Sequence, residues 1–228
     1  MFFARHLPNF LTCCNLLCGC LGIIAVVEGS PVPLAYFVWA ACVFDFFDGF
    51  AARMLKVSSP IGKELDSLAD MVSFGVLPAL AMYRMIQQSG GPNGLPYIAL
   101  LLAVFSALRL AKFNIDTRQS DSFIGLPTPA NALFITALAF LPEGWLGGVL
   151  SNGYALAVVA VLFSLLLVSP WELFALKFKH FGWKGNQIRF IFVLLSAGLL
   201  IGWGAIALVP IILIYLLLSF THRIGAKQ

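Results

Sequence analysis

Long apolar stretches alternate along the chain with short segments rich in Gly, Pro and basic residues, and no stretch shows a strict period of two. In a bilayer only helices and closed barrels satisfy their own backbone, and barrel strands would alternate, so the pattern predicts membrane helices. Spans are expected at about Leu7 to Val27, Leu34 to Leu55, Pro60 to Ile86 and Leu95 to Phe113, with shorter ones at Thr128 to Leu141 and Ser151 to Leu173. The run from Ile188 to Phe220 is too long for one crossing of a core roughly 30 Å thick and slightly short of two ideal ones. Gly202-Trp203-Gly204 offers a tight turn within it, so two crossings are expected, making about eight transmembrane helices in one membrane domain covering 1–228.

Composition agrees. Hydrophobic residues make up 61% of the 228 positions and charged residues 11%, against about 25% charged in ordinary soluble domains, and the mean hydropathy is +0.95. The net charge of +4 comes without a basic, aromatic-interleaved stripe, so no nucleic-acid partner is expected. Topology explains the excess better. Arg5, Arg53, Lys56, Lys63, Lys112, Arg118, Lys177, Lys179, Lys184, Arg189, Arg223 and Lys227 all fall on one side of the expected spans, and the opposite connections carry only Arg84 nearby. By the positive-inside rule both termini face the cytoplasm, and the first span reads as retained rather than as a cleaved signal.

The five cysteines, Cys13, Cys14, Cys18, Cys20 and Cys42, lie in apolar runs without metal-ligand spacing and read as compact packing residues. Trp145, Trp171, Trp183 and Trp203 suit interfacial anchors, and His6, His180 and His222 fall at interfaces with no catalytic role.

The acidic residues carry the chemistry. Asp45 and Asp48 lie in the second span and Asp66 and Asp70 in the third, although a charge at mid-membrane costs about 2.5–3.5 kcal/mol or more. Asp45, Asp48, Gly49, Ala52 and Arg53 occupy one helical face, and Gly62, Asp66 and Asp70 recur every four residues on another. The short link Lys56 to Ser59 makes the two helices antiparallel neighbours, and Ser59-Pro60 reads as an N-cap followed by an N1 proline. Facing carboxylates repel, and Arg53 alone does not neutralise four of them. Oxygen-only ligands favour hard ions, so Mg²⁺ or Mn²⁺ is expected, with Ca²⁺ as a competitor, in a two-ion cluster suited to a phosphoryl centre. Gly49 and Gly62 clear space for substrate, or serve packing.

The stretch DFFDGFAARMLKVSSPIGKELDSLAD fits D-x2-D-G-x2-A-R-x8-G-x3-D-x3-D at every fixed position and resembles the signature of the CDP-alcohol phosphotransferases. HLPNFLTCCNLLCG, DMVSFGVLPA, LRLAKFN and GLPTPAN are similar to the integral-membrane phosphatidylserine synthases of bacteria within that family, over about the first 135 residues. The resemblance implies transfer of a phosphatidyl group from CDP-diacylglycerol to L-serine with release of CMP, in a bacterial-type cytoplasmic (inner) membrane, by a homodimer among membrane lipids. It implies one ion on Asp45, Asp48 and Asp66, a second on Asp45, Asp66 and Asp70, and Asp70 as general base. It assigns Gly49, Arg53 and Ser59 to the CDP moiety, with Pro8, Asn9 and Thr12 as further nucleotide contacts.

For Asn9, ordinary helix capping is an equal alternative. Arg109 and Lys112 are expected to meet the lipid phosphate or the serine carboxylate, snorkelling being the competing role. The two prolines of GLPTPAN imply broken backbone lining a polar cavity, with Thr128 and Asn131 facing substrate. Glycerol 3-phosphate or inositol phosphate is the alternative acceptor. A cation or proton transporter would also use intramembrane Asp, but has no need of Gly and Ala-Arg at this spacing.

Overall fold

The computed structural model describes residues 2–30, 32–57, 59–116, 122–141, 148, 151–174, 182 and 186–225. Expectations for Arg118, Trp145, Lys177, Lys179, His180, Trp183, Lys184 and Lys227 lie outside the described residues, as do those for the side chains of Arg5, His222 and Arg223.

The apolar runs become helices. They are α1 (Phe2–Glu28), α2 (Leu34–Leu55), α3 (Pro60–Asp70), α4 (Leu77–Gln88), α5 (Leu100–Ile115), α6 (Thr128–Ala137), α7 (Gly153–Val168), α8 (Gln187–Trp203) and α9 (Leu208–Gly225). Counting α3 through α4 and α8 through α9 as single stretches, five helical segments among the described residues are long and apolar enough to cross a membrane, with two shorter apolar helices beside them. The protein is an all-α, multi-pass membrane protein.

Local chemistry explains the joints. α2 ends on Lys56, which adopts the left-handed conformation at φ 52°. Its N–H donates to the Arg53 carbonyl while the Val57 N–H donates to that of Ala52 at 3.0 Å, the double closure of a Schellman cap. A left-handed non-glycine costs about 1–2 kcal/mol, and here it turns the chain directly into the next helix. Ser59 then caps α3, its Oγ accepting from the Gly62 N–H at 3.0 Å, with Pro60 at N1, as the sequence predicts.

Between α3 and α4 the helix widens into a π turn over Met71–Val76, where the Leu77 N–H reaches the Val72 carbonyl five residues back. Pro78 lies just beyond. In a regular α-helix its ring would crowd the Phe74 carbonyl, and the wide turn occupies the place where that clash would fall.

Two expectations need correction. The predicted helix Ser151 to Leu173 stops at Val168, because Pro170 disfavours helical backbone at Ser169. Glu172–Phe174 instead forms a strand, β2, paired antiparallel with β1 (Ser122–Ile124). The prolines of GLPTPAN do not break a helix either. Pro127 precedes α6 and Pro129 falls in its first turn, where the missing N–H has no intrahelical partner to lose.

The tail folds back as a hairpin. Gly204 takes φ 58° after α8, and the rings of Phe192 and Tyr215 lie 5.7 Å apart, whereas a continuous helix would separate positions 192 and 215 by about 35 Å. The larger apolar core joins α4, α5, α6, α7, β2, α8 and α9 around Met82, Ile86, Leu102, Ile135 and Leu156, and a smaller one joins α1, α2 and the π turn around Val38, Phe74 and Leu77. Arg84, the lone cation expected opposite the basic side, donates to the Val26 carbonyl at 2.7 Å near the end of α1, a favourable place for a cation at a helix C-terminus.

Candidate active site

The first turns of α1, the last turns of α2 and the whole of α3 converge where α2 passes into α3. The two predicted stripes do face each other. One carboxylate oxygen from each of Asp45, Asp48 and Asp66 lies within 4.8 Å of the others. At an effective dielectric of about 20, each ionised pair at that spacing repels by roughly 3 kcal/mol or more. Asp48 is buried, with 6% of its surface exposed, and Asp66 Oδ1 is buried without a hydrogen-bond partner. An oxygen-only donor set with an unsatisfied buried acceptor fits a hard divalent cation.

Asp70 stands apart from this triad. It sits one turn further along α3, 9% exposed, with its carboxyl facing Asp45 and accepting from Asn15 Nδ2 at 3.2 Å. Asn15 is held in turn by the Ser73 hydroxyl, which donates to its carbonyl at 2.9 Å from within the π turn. Sequence reasoning passed over Asn15 and Ser73. A signal for the first existed: Pro8, Thr12 and Asn15 sit at positions 0, 4 and 7 of one α1 stripe.

Thr12 is turned toward the cluster. Its hydroxyl lies 2.6 Å from Asp48 Oδ2 and 3.0 Å from the Pro8 carbonyl, so it supports a carboxylate. A groove of about 780 Å³ opens above the cluster, with Asn9, Asp48, Gly49, Lys56, Ser59 and Asp66 among its lining residues, a size suited to a small-molecule ligand. His6, expected only at an interface, is exposed and also lines this groove. Asn9 Oδ1 lies 2.9 Å from where a Cβ on Gly62 would be, so the glycine is what lets α1 and α3 approach so closely there. Arg53 is exposed, with Nη1 3.3 Å from the place of a Gly49 Cβ, so its guanidinium covers the groove-lining glycine.

α3 is tied to α5 by polar contacts. Lys63 Nζ donates to the Asn114 carbonyl at 2.7 Å, and Asn114 Nδ2 donates to Ser67 Oγ at 2.8 Å. Beyond this strap lies a second polar group. Arg109 is 7% exposed and donates through Nη1 to Thr128 Oγ1 at 3.4 Å, while its Nε has no partner. Asn131 is wholly buried, with neither amide atom hydrogen-bonded. The Asp70 carboxyl acts electrostatically on the buried Arg109, whereas Lys112 lies exposed in the last turn of α5. The structure therefore brings Asp48, Asp66, Asn9, Thr12, Gly49 and Ser59 to one groove, sets Asp45 within ligand distance of Asp48 and Asp66 and beside Asp70 but outside the groove lining, and buries Arg109, Thr128 and Asn131 away from that lining.

Comparison with known proteins adds a family. The model of the CDP-alcohol phosphatidyltransferase family matches residues 5–176, beyond the 135 residues over which the sequence motifs run. A Bacillus subtilis protein named CDP-diacylglycerol–serine O-phosphatidyltransferase is 34% identical over 181 residues, covering 78% of this chain and 92% of its own. Relatives bearing the same name occur in Helicobacter pylori, at 38% identity over 59% of this chain and 57% of the relative, and in Methanocaldococcus jannaschii, at 33% over 74% and 75%.

Proposed function

The chain belongs to the CDP-alcohol phosphatidyltransferase family, and from that premise we propose that it transfers the phosphatidyl group of CDP-diacylglycerol to the hydroxyl of L-serine, releasing CMP. The observation that carries this reading is the meeting of Asp45, Asp48 and Asp66, from two helices, within ligand distance of one another, with Asp48 and Asp66 lining the groove. The three relatives described above bear the name of that activity.

Asp45, Asp48 and Asp66 would hold one divalent cation, Mg²⁺ or Mn²⁺ with Ca²⁺ as a competitor, and Asp45, Asp66 and Asp70 a second. Bound there, the ions supply charge that offsets the pyrophosphate and stabilises the transferring phosphoryl group. The rest falls to the protein. Asn9, Gly49, Arg53 and Ser59 would bind the CDP moiety, and Thr12 would fix Asp48. Asp70, oriented by Asn15, takes the proton of the serine hydroxyl as the serine O–P bond forms and the bond to the CMP oxygen breaks. A weak hydroxyl nucleophile needs such a base, which typically contributes about 10²–10⁴ in rate.

Lys56, Lys63 and Lys112, all exposed near this end, support a site near the cytoplasmic side of the inner membrane, and a homodimer belongs to the same reading. Serine is favoured over a phosphorylated acceptor because Arg109 is the one buried cation among the described residues, and a phosphate would call for several. The test is CMP release by purified protein with Mg²⁺ or Mn²⁺ and CDP-diacylglycerol across a panel of alcohols. Release is expected with serine alone; equal release with glycerol 3-phosphate, or none with any alcohol, overturns the assignment.

A further inference from the structure

Resting on that reading, we propose that the acceptor enters through a mouth of its own on the α5 side, where Lys112 and Arg109 receive its carboxylate. A second cavity, of about 530 Å³, lies between the last turn of α5, β1 and the end of α7. Its lining includes Arg109, Lys112, Asp116, Ile124 and Ser169, and it shares no lining residue with the groove above the aspartate cluster. α3, which lines the first groove, is fastened to α5, which lines the second, by the Lys63 and Asn114 bonds.

Arg109 gives this cavity a built receptor for an oxyanion. The side chain is more than nine-tenths buried, its Nη1 donates to Thr128, and Nε is left without a partner. A buried guanidinium with an unused donor matches a carboxylate in shape and charge. Thr128, its neighbour, lies three residues from Asn131 on the same face of α6. Neither Thr128 nor Asn131 is among the residues lining the cavity, and the unpartnered Asn131 amide is fully buried. Lys112, one turn along from Arg109 and exposed, sits at the rim, where a cation raises the encounter rate of an anion.

The arrangement also suits the displacement. Attack at phosphorus places the entering and leaving oxygens roughly in line, so the hydroxyl must approach from the side away from CMP. Asp70 lines neither cavity, and its carboxyl lies within electrostatic reach of the Arg109 guanidinium. With the nucleotide in the first groove and the acceptor in the second, neither substrate would block the other's path.

An oxyanion at Arg109 could equally be the lipid phosphate, and kinetics separate the two sources. With both substrates varied, Lys112→Ala and Lys112→Glu should raise KM for serine about fivefold and more than tenfold, as loss and then reversal of a rim charge do. KM for CDP-diacylglycerol and kcat at saturating serine should stay within about twofold. Lys112 is exposed, so both variants are expected to fold, which their elution as wild-type-like particles checks. An unmoved serine KM overturns the second mouth, and a parallel rise in KM for CDP-diacylglycerol assigns the oxyanion to the lipid instead. Absence of CMP release by the wild type with serine would overturn the functional reading itself.

Discussion

Asp70 differs from its acidic neighbours in its surroundings. Asp45, Asp48 and Asp66 share ligand distance with one another, whereas Asp70 accepts from the side-chain amide of Asn15 on α1, a residue whose main-chain carbonyl accepts from Ser73. A carboxyl oriented by a neutral amide and set beside the carboxyl of Asp45 suits a base. Asp70→Asn is nearly the same size and keeps an acceptor for Asn15, so the variant should fold and still bind a cytidine nucleotide, while turnover falls by about 10²-fold or more. Turnover near the wild-type rate, with binding intact, would place the base elsewhere. The four aspartates were legible because a carboxylate in an apolar run is too costly to be incidental. Asn15 was not, since a neutral amide in mid-helix carries a smaller penalty than a carboxylate and reads as an ordinary polar position.

At the scale of elements, the site depends on how closely three helices approach. Asn9 on α1 is in contact range of α3 because Gly62 has no side chain there. Gly62→Val should push Asn9 and the start of α1 outward, raising KM for CDP-diacylglycerol by about tenfold while the protein still purifies as a folded particle. An unchanged KM would show that α1 takes no part in nucleotide binding. Helix positions followed from apolar run length, and the α2–α3 joint from Ser59-Pro60, because these signals are local. The strands β1 and β2 were invisible for the opposite reason: three residues each are too few for a period, and their pairing joins positions fifty apart in sequence, as Ser122 with Phe174 and Ile124 with Glu172 do. The π turn escaped as well, since only Pro78 marks it, and a proline in an apolar span equally signals a kink.

For the molecule as a whole, Arg53, Lys56, Lys63 and Lys112 among the described residues lie near the end that holds the acidic cluster, and Arg84 near the other end is engaged with the α1 terminus. That distribution predicts that a fluorescent reporter fused after Gln228 matures in the cytoplasm, and that a phosphatase active only outside it gains activity when fused after Gly90. The reverse pattern would invert the orientation and put the nucleotide site on the wrong face for a cytoplasmic substrate. The hairpin of α8 and α9 was foreseeable from Gly202-Trp203-Gly204, but its partners were not, because packing between distant segments leaves no trace in run length.

Those partners tie the end of the chain to its chemistry. The Tyr215 hydroxyl donates to the Phe174 carbonyl at 3.0 Å, fastening α9 to the strand whose mate, β1, contributes Ile124 to the second cavity. A polypeptide truncated after the α8 helix would keep every acidic ligand and still lose the anchor for that cavity's outer rim. On the proposed acceptor route, changes in α9 would alter which alcohol is admitted while leaving every acidic ligand in place.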